Sequence, residues 1–183
     1  MKKIAAIIFE NDSGELLLYK RDNKPGIPFP QHWDLFGGHI EEGETPEEAL
    51  VREVKEELNY DLKEYTFFKE YNCTDGDAYP NVKYIYTGRF NIPIGEITLL
   101  EGDYPAYFRK EEIPGVKFAN ILKDIVMEYL ESNPYITNKI ARELSGIESE
   151  NAVKHVFQRL RKQGRIKPVN PKARAFDFKY IRC

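Results

Sequence analysis

The stretch that most constrains this chain lies at residues 38–60, where a glycine turn leads directly into a helical sequence. Thr45 is followed at once by Pro46 and, three positions after Thr45, by Glu48. A threonine N-cap, a proline at the first helical position and a glutamate at the third are typical of a helix start. No helix-breaking residue follows before position 58. We therefore predict an α-helix that begins at Pro46 and ends near Leu58.

Three glutamates share one face of this predicted helix. Glu53, Glu56 and Glu57 are spaced i, i+3 and i+4, which places Glu56 and Glu57 on either side of Glu53, each within about 60° of it around the helix axis. Like charges at this spacing repel one another, and a bound cation would offset that repulsion. Mg²⁺ prefers oxygen ligands and binds substrate phosphates beside one or two carboxylates. Arg52 lies within helical reach of Glu56 and can hold carboxylates in place. The alternative interpretation is a solvated acidic face.

The stretch resembles the Nudix box, a signature of the form Gly-x5-Glu-x7-Arg-Glu-U-x-Glu-Glu-x-Gly-U, in which U is a bulky apolar residue. The matching positions are Gly38, Glu44, Arg52, Glu53, Val54, Glu56, Glu57 and Tyr60. Asn59 stands where the family has glycine. That position ends the helix in a left-handed conformation, which asparagine tolerates best after glycine. We therefore expect Asn59 to end the helix in the same way.

The resemblance implies a chemistry and a metal site. Nudix proteins hydrolyse a nucleoside diphosphate that is linked to another group, and bound metal ions neutralise the phosphate oxygens that repel the attacking water. The implied cofactor is Mg²⁺, with Mn²⁺ as an alternative. By family position, the expected ligands are Glu53, Glu57 and the backbone carbonyl of Gly38. Glu56 is expected either as a further ligand or as the base that activates water.

Three further roles follow from the same resemblance. Arg52 is expected to orient the glutamates, and Glu44 to support the loop and the helix through hydrogen bonds. The alternative for Glu44 is a surface acid at a helix start. Many family members place a further acid outside the box, so Glu101, just after a predicted strand, is a candidate second base. The alternative for Glu101 is an ordinary turn residue before Gly102.

The whole chain has 183 residues and a net charge of −3, but the charge is unevenly distributed. Residues 1–119 carry 14 basic and 23 acidic side chains, whereas residues 120–183 carry 13 basic and 7 acidic ones. This asymmetry predicts two parts with different partners. Two distant cysteines are too few for a disulfide framework or a zinc site. The first apolar run ends at Glu10, too soon for a signal peptide, and no run is long enough to span a membrane. We expect a cytoplasmic protein that does not bind membranes.

Alternating apolar residues and turn signals predict a β-sheet in the first part of the chain. The helix spacing of apolar residues over 118–131 predicts a closing helix. With the box helix on one face of a mixed sheet and the closing helix on the other, the resemblance implies an α/β/α sandwich over residues 1–131. The predicted strands lie at residues 4–9, 15–21, 32–36, 65–74, 79–91, 94–100 and 106–108.

Residues 132–183 are predicted to form a second, small domain. The pattern gives a helix over 138–144 capped by Thr137, a longer helix through residue 163 capped by Ser149, and strands at 165–169 and 175–181 on either side of a basic loop. This arrangement resembles a winged helix-turn-helix, in which the 118–131 helix serves both domains.

A winged helix implies contacts with double-stranded DNA. The alternative is a domain for dimerisation or protein contacts whose basic residues keep it soluble, and a homodimer is left open. The candidate contacts on the second helix are Asn151, Lys154, His155, Gln158, Arg159, Arg161 and Lys162, with Lys172 and Arg174 on the wing.

Two functions are compatible with these features. The first is a Mg²⁺-dependent Nudix hydrolase that cleaves the pyrophosphate of a nucleoside diphosphate derivative and carries an appended DNA-binding winged helix. Its substrate class stays open among ADP-ribose-like compounds, other sugar nucleotides, dinucleoside polyphosphates and nucleoside triphosphates. Nudix domains fused to winged helices resemble regulators that sense NAD-related metabolites, which slightly favours an ADP-ribose-like ligand. The second function is such a regulator, sensing a nucleotide without significant turnover. The intact acidic residues favour the enzyme.

Overall fold

The computed structural model describes residues 1–75, 77–132, 136–137, 142, 149–163, 166–168 and 179–182. Contacts between Cα atoms divide the chain into two compact units, Met1–Glu128 and Tyr129–Cys183. The domain boundary between residues 131 and 132 stays a prediction. Among the described residues, none of the helices has the length and apolar character needed to cross a membrane.

The first unit is built on a mixed β-sheet, as predicted. The strands are β1 (Lys2–Glu10), β2 (Leu16–Lys20), β3 (Trp33–Asp34), β4 (Phe36–His39), β5 (Tyr65–Cys73), β6 (Asn81–Arg89) and β7 (Pro105–Phe108). The central order of the sheet is β3-β2-β1-β6-β5, while β4 pairs with β1 and β7 pairs with β2. The β1–β6 pair is parallel, and the other pairs are antiparallel.

Strand β1 changes partner along its length. Its first half, from Ile4 to Ile7, pairs with β4, whereas Phe9 and Glu10 pair with β2. Gly37 and Gly38 lie within strand β4 rather than in a separate turn, and this change of partner brings them against the middle of β1. A Cβ atom at Gly37, whose φ is 131°, would overlap the backbone oxygen of Ala5. Only glycine therefore allows this close approach.

Helix α1 (Pro46–Leu58) has the predicted ends. The Thr45 side chain accepts a hydrogen bond from the Glu48 amide at 3.2 Å, and the Glu48 carboxylate accepts one from the Thr45 amide at 2.8 Å. Asn59 ends the helix in the left-handed conformation, with φ 49° and ψ 31°, and its amide donates to the carbonyl of Lys55. The expectation that asparagine replaces glycine at this cap is confirmed.

Helix α1 and Leu122 lie on opposite faces of the sheet of the first unit. Buried residues of α1 pack with Ala5, Ile7 and Phe9 of β1. Successive residues of a strand point to opposite faces, so Ile4 and Ala6 face the other side. There they line a cavity together with Leu122, the first residue of α2 (Leu122–Ser132). The α1 residues in this core are Ala49, Leu50, Val54 and Leu58.

Two secondary-structure predictions for this unit need correction. The strand predicted over 94–100 is wrong, because Ile94–Glu96 is a 3₁₀-helix and the Leu100 amide donates to the carbonyl of Glu57, at 2.7 Å, instead of joining the sheet. The closing helix begins at Leu122 rather than at residue 118. Asn120 has a φ of 55°, a left-handed conformation that an α-helix cannot contain. A second 3₁₀-helix, Lys110–Gly115, precedes it.

The second unit contains helix α3 (Glu150–Lys162), whose Ser149 cap accepts from the Ala152 amide at 3.3 Å, as predicted. Val153 and Phe157 form its buried face. Strands β8 (Ile136–Thr137), β9 (Ile166–Pro168) and β10 (Lys179–Arg182) form an antiparallel sheet in the order β8-β10-β9. The predicted helix over 138–144, apart from helical Arg142, and the basic loop with Lys172 and Arg174 lie outside the described residues.

Asn59→Ala is expected to lower the free energy of unfolding by about 1 kcal/mol, because alanine adopts the left-handed conformation at a cost that asparagine largely avoids. Asn59→Gly should leave stability unchanged or raise it. Urea denaturation of the three proteins measures both differences. Equal losses in the two variants would contradict the assigned role of this cap.

Candidate active site

A cavity of about 300 Å³ lies beside β1 in the first unit. Strands β4 and β6 contribute Gly38 and Lys83 to its lining, and helix α1 contributes Glu53 and Glu57. Glu101 comes from the segment before β7. The cavity therefore brings together residues from both halves of the Nudix-like box and from distant strands.

The two glutamates in the cavity contact the two glycines of strand β4. Glu57 is 3% exposed, and its Oε2 accepts a hydrogen bond from the Gly37 amide at 2.8 Å. The Glu53 carboxylate packs so closely on Gly38 that a Cβ atom there would overlap it. A side chain at residue 38 would therefore displace Glu53 from the cavity.

Arg52 bonds to four residues of the site. Its Nε and Nη2 donate to the two carboxylate oxygens of Glu44, at 2.7 and 2.9 Å. Its Nη1 donates to Glu53 at 2.8 Å and to Glu56 at 3.2 Å. Nη2 also reaches the backbone oxygen of His39 at 2.9 Å. These contacts are those expected of a residue that orients the glutamates, and they tie the loop before α1 to the helix.

Glu56 does not join the cavity that Glu53 and Glu57 line. Its side chain is 60% exposed and contacts Arg52. Around the helix axis, Glu57 lies about 40° from Glu53 in one direction, and Glu56 lies about 60° from Glu53 in the opposite direction. The cavity is therefore lined by Glu53 and Glu57, while Glu56 lies beyond its edge. Glu101 also lines the cavity, as do Asp34 and Asp77.

Burial and mutual repulsion disfavour the ionised forms of the acidic side chains in the cavity. Burial raises the pKa of Glu57 well above its usual range, and repulsion from Asp34, Glu53 and Glu101 adds to this effect. Burial also raises the pKa of Glu53, with Arg52 opposing the rise. A bound cation would relieve both effects.

The donor set fits a hard divalent ion in its chemistry. Carboxylate and backbone oxygens are the ligands that Mg²⁺ and Mn²⁺ prefer, and Glu53, Glu57 and Gly38 all line the cavity. Among the described residues, however, no three acidic, histidine or cysteine side chains lie close enough together to hold an ion by themselves. Mg²⁺ usually keeps several waters and takes substrate phosphate oxygens as ligands, so two carboxylates and a carbonyl are sufficient.

Several cavity residues were missed by sequence reasoning. Arg21 pairs with Asp34 at 2.6 Å, and Lys83 pairs with Asp77 at 2.6 Å. The Oδ1 atom of Asn120 is buried and has no hydrogen-bond partner within the described part of the chain. One sequence feature could have indicated these residues. Asp34 and Lys83 are charged residues within predicted strands, at positions where a buried residue is usually apolar.

Comparison with known proteins decides the family. A model of the NUDIX domain matches residues 1–118. The chain belongs to the Nudix family. This result confirms the resemblance drawn from the box, which lies inside the matched region.

The Nudix chain also resembles individual proteins over part of its length. Nucleoside triphosphatase NudI from Salmonella schwarzengrund is 46% identical over 61 residues, which cover 33% of this chain and 42% of that protein. A putative 8-oxo-dGTP diphosphatase from Bacillus subtilis is 45% identical over 56 residues, covering 31% and 34%. The matched part thus spans less than half the length of these curated relatives.

Solved structures share the fold of the Nudix unit. The NUDIX domain of Shewanella oneidensis NrtR, solved with ADP ribose, has a TM-score of 0.60 at 17% identity, covering 71% of this chain and 86% of that chain. A MutT protein from Methanosarcina mazei has a TM-score of 0.58 at 20% identity, covering 73% and 95%. Likeness at these identities establishes the fold.

The Arg52 contacts predict a pH-dependent change. The hydrogen bond from Arg52, helped by the Glu41 amide, lowers the pKa of Glu44 to about 2. Ionised Glu44 therefore favours the folded state above its ordinary pKa of 4.5, and this contribution is lost as the pH falls from about 4.5 to about 2. In Arg52→Gln, the pKa of Glu44 should rise toward 4.5.

Carbon-detected NMR titration of the Glu44 carboxyl group measures this shift. Lys55→Gln is the matched control, because Lys55 is on the same helix but pairs with Asp61. An unchanged Glu44 titration in Arg52→Gln would show that Arg52 does not hold this carboxylate.

Proposed function

We propose that this chain is a divalent-metal-dependent Nudix pyrophosphohydrolase that cleaves the pyrophosphate linkage of a nucleoside diphosphate derivative. The observation that carries the proposal is that Glu53 and Glu57 line one cavity and contact the two glycines of strand β4, Gly38 and Gly37. The names of the relatives, a nucleoside triphosphatase and a putative 8-oxo-dGTP diphosphatase, support the same reaction class.

The chain's own residues perform distinct tasks in this reaction. Glu53, Glu57 and the carbonyl of Gly38 hold Mg²⁺ or Mn²⁺, which supplies positive charge for the phosphate oxygens when bound. Arg52 keeps Glu53 in place through its bond to that carboxylate. The Gly37 amide fixes one carboxylate oxygen of Glu57, which lines the cavity. Orientation of this kind accounts for much of the catalysis of phosphoryl transfer.

Two acids are candidates for the base that accepts a proton from water. Both residues are exposed, but Glu101 lines the cavity, whereas Glu56 lies outside its lining and is paired with Arg52. A general base has to lie within hydrogen-bond reach of the water that it activates, directly or through one further water. The position of Glu101 therefore favours it, with Glu56 as the alternative.

The substrate class is proposed as a nucleoside triphosphate, with ADP-ribose-like compounds and other sugar nucleotides as alternatives. The relative that is 46% identical over 61 residues is named a nucleoside triphosphatase. The NrtR domain was solved with ADP ribose, so the same fold also accommodates that ligand.

Hydrolysis of a nucleotide panel with Mg²⁺ tests the proposal. The wild type should turn over at least one nucleotide at about 1 s⁻¹ or faster, chelation with EDTA should abolish the activity, and Glu57→Gln should lower it by about 100-fold or more. Glu47→Gln is the matched control, because Glu47 is on the same helix but bonds to Tyr86 outside the cavity. Absence of turnover across the panel, or equal losses in both variants, would refute the proposed activity.

The same assay separates the two candidate bases. Glu101→Gln should lower kcat by about 100-fold, and Glu56→Gln should have a much smaller effect. The reverse order would assign the base to Glu56.

A second proposal concerns the second unit, which we infer to be a DNA-binding winged helix. Its α3 helix buries Val153 and Phe157 and is followed by an antiparallel strand pair, β9 and β10. The opposite face of α3 is polar and basic, as groove recognition requires. The exposed residues of that face are Asn151, Lys154, His155, Gln158, Arg159, Arg161 and Lys162.

DNA binding should be sequence-specific and depend on salt. We expect one duplex from a selected library to bind at least about 10³-fold more tightly than random duplexes at physiological salt. Arg159→Ala should weaken that binding, whereas Glu150→Gln at the helix start should not. Equally weak binding to all duplexes would leave the unit with a protein-contact role. If turnover is also absent while one nucleotide changes DNA affinity, the chain is a regulator.

A further inference from the structure

A buried ion pair lines the cavity on the side of β6. Lys83 Nζ lies 2.6 Å from Asp77 Oδ2, and the two side chains are 3% and 4% exposed. Lys83 also donates to Asn81 Oδ1 at 3.0 Å, and Asn81 Nδ2 donates to Asp77 at 2.9 Å. Both members of the pair line the cavity. None of the three residues has a part in the hydrolytic chemistry proposed above.

Stability alone does not account for this pair. Moving two charges out of water costs free energy that their attraction only partly returns, and apolar residues of similar volume often replace such pairs without loss. Two neighbours of Lys83 on the same face are apolar, Ile85 of β6 and Ile4 of β1, which is the registered partner of Lys83. A charged pair kept in such surroundings and facing a cavity is a candidate for ligand recognition.

The hydrogen bonds of Lys83 define what it can recognise. An ammonium group has three donors, and Asp77 and Asn81 occupy two of them among the described residues. The third donor is available to an acceptor in the cavity. Asp77 already neutralises the charge, so Lys83 offers a phosphate little net attraction. A neutral acceptor such as a carbonyl oxygen gains a full hydrogen bond without losing as much hydration.

Two aromatic rings make the same cavity suitable for a flat group. Phe29 and Tyr79 both line it. Phe29 has a φ of 52°, a strained conformation for a residue with a side chain, and such strain concentrates at functional sites. Tyr79 is held by a 2.7 Å hydrogen bond between its hydroxyl group and His39 Nε2. Nucleobases stack on aromatic side chains of this kind.

We propose that Lys83, positioned by Asp77 and Asn81, is a specificity-determining residue that donates a hydrogen bond to a carbonyl of the substrate's base. The enzyme then prefers nucleotides of guanine, uracil or thymine over those of adenine, which has no carbonyl and presents an amino donor at the corresponding edge. This inference rests on the proposed function and names the substrate class of the same site.

Selectivity between bases tests the inference. For the wild type, kcat/KM for GTP or UTP should exceed that for ATP by about 10-fold or more, the value of one charge-assisted hydrogen bond. Lys83→Met should bring the ratio close to one, and Lys83→Arg, which keeps a donor, should retain part of it. Lys69→Met on the neighbouring strand β5 is the control and should not change the ratio.

Loss of Lys83 leaves Asp77 as an unpaired buried charge, which can prevent folding. The double variant Lys83→Met/Asp77→Asn removes both charges and is expected to fold with the same loss of selectivity. A wild-type preference for ATP, or an unchanged ratio in the folded double variant, would overturn the inference.

Binding of nucleoside monophosphates separates this inference from the proposed activity. Calorimetry with GMP, UMP and AMP in EDTA requires neither metal nor turnover. Tighter binding of GMP or UMP than of AMP, lost in the double variant, supports the role of Lys83 even if no nucleotide is hydrolysed. Equal or undetectable binding of all three by the wild type overturns it, whatever the turnover.

Discussion

The candidate active site depends on the contact between the Glu53 carboxylate and the backbone of Gly38. This contact exists because residue 38 has no side chain. It also depends on the Thr45 cap, which starts α1 at Pro46. The start of the helix fixes the rotation at which Glu53 and Glu57 face the glycines of β4. Arg52 then holds Glu53 from the solvent side. A helix shifted by one residue would rotate both glutamates by about 100° and remove them from the cavity.

The local parts of this arrangement could be predicted from sequence, because they depend on interactions between near neighbours. The Thr45 cap, the left-handed Asn59 and the Ser149 cap all involve residues within four positions of one another. The strand over 94–100 was predicted wrongly because the conformation of this segment depends on a group distant in sequence. The Leu100 amide donates to the carbonyl of Glu57. The outward position of Glu56 was also missed, since helix spacing defines a face but not the edge of a cavity.

The remainder of the cavity was unpredictable for a related reason. The parallel pairing of β1 and β6 places Ile4 beside Lys83, and hairpin pairing places Tyr71 on its other side. Residues from distant parts of the chain therefore meet at one wall. Charge at Asp34 and Lys83 was the available signal, but its meaning appears only when Arg21 and Asp77 are seen to face them. The acidic groups proposed for hydrolysis and the paired Lys83 then line one cavity.

If Glu53 and Glu57 form a cation site, the protein binds a divalent ion before any substrate binds. Titration of the substrate-free protein with Mn²⁺, followed by electron paramagnetic resonance, measures this directly. We expect saturable binding by the wild type that weakens by about 10-fold or more in Glu53→Gln and in Glu57→Gln, and remains unchanged in Glu47→Gln. Equal Mn²⁺ affinity in all four proteins would contradict it.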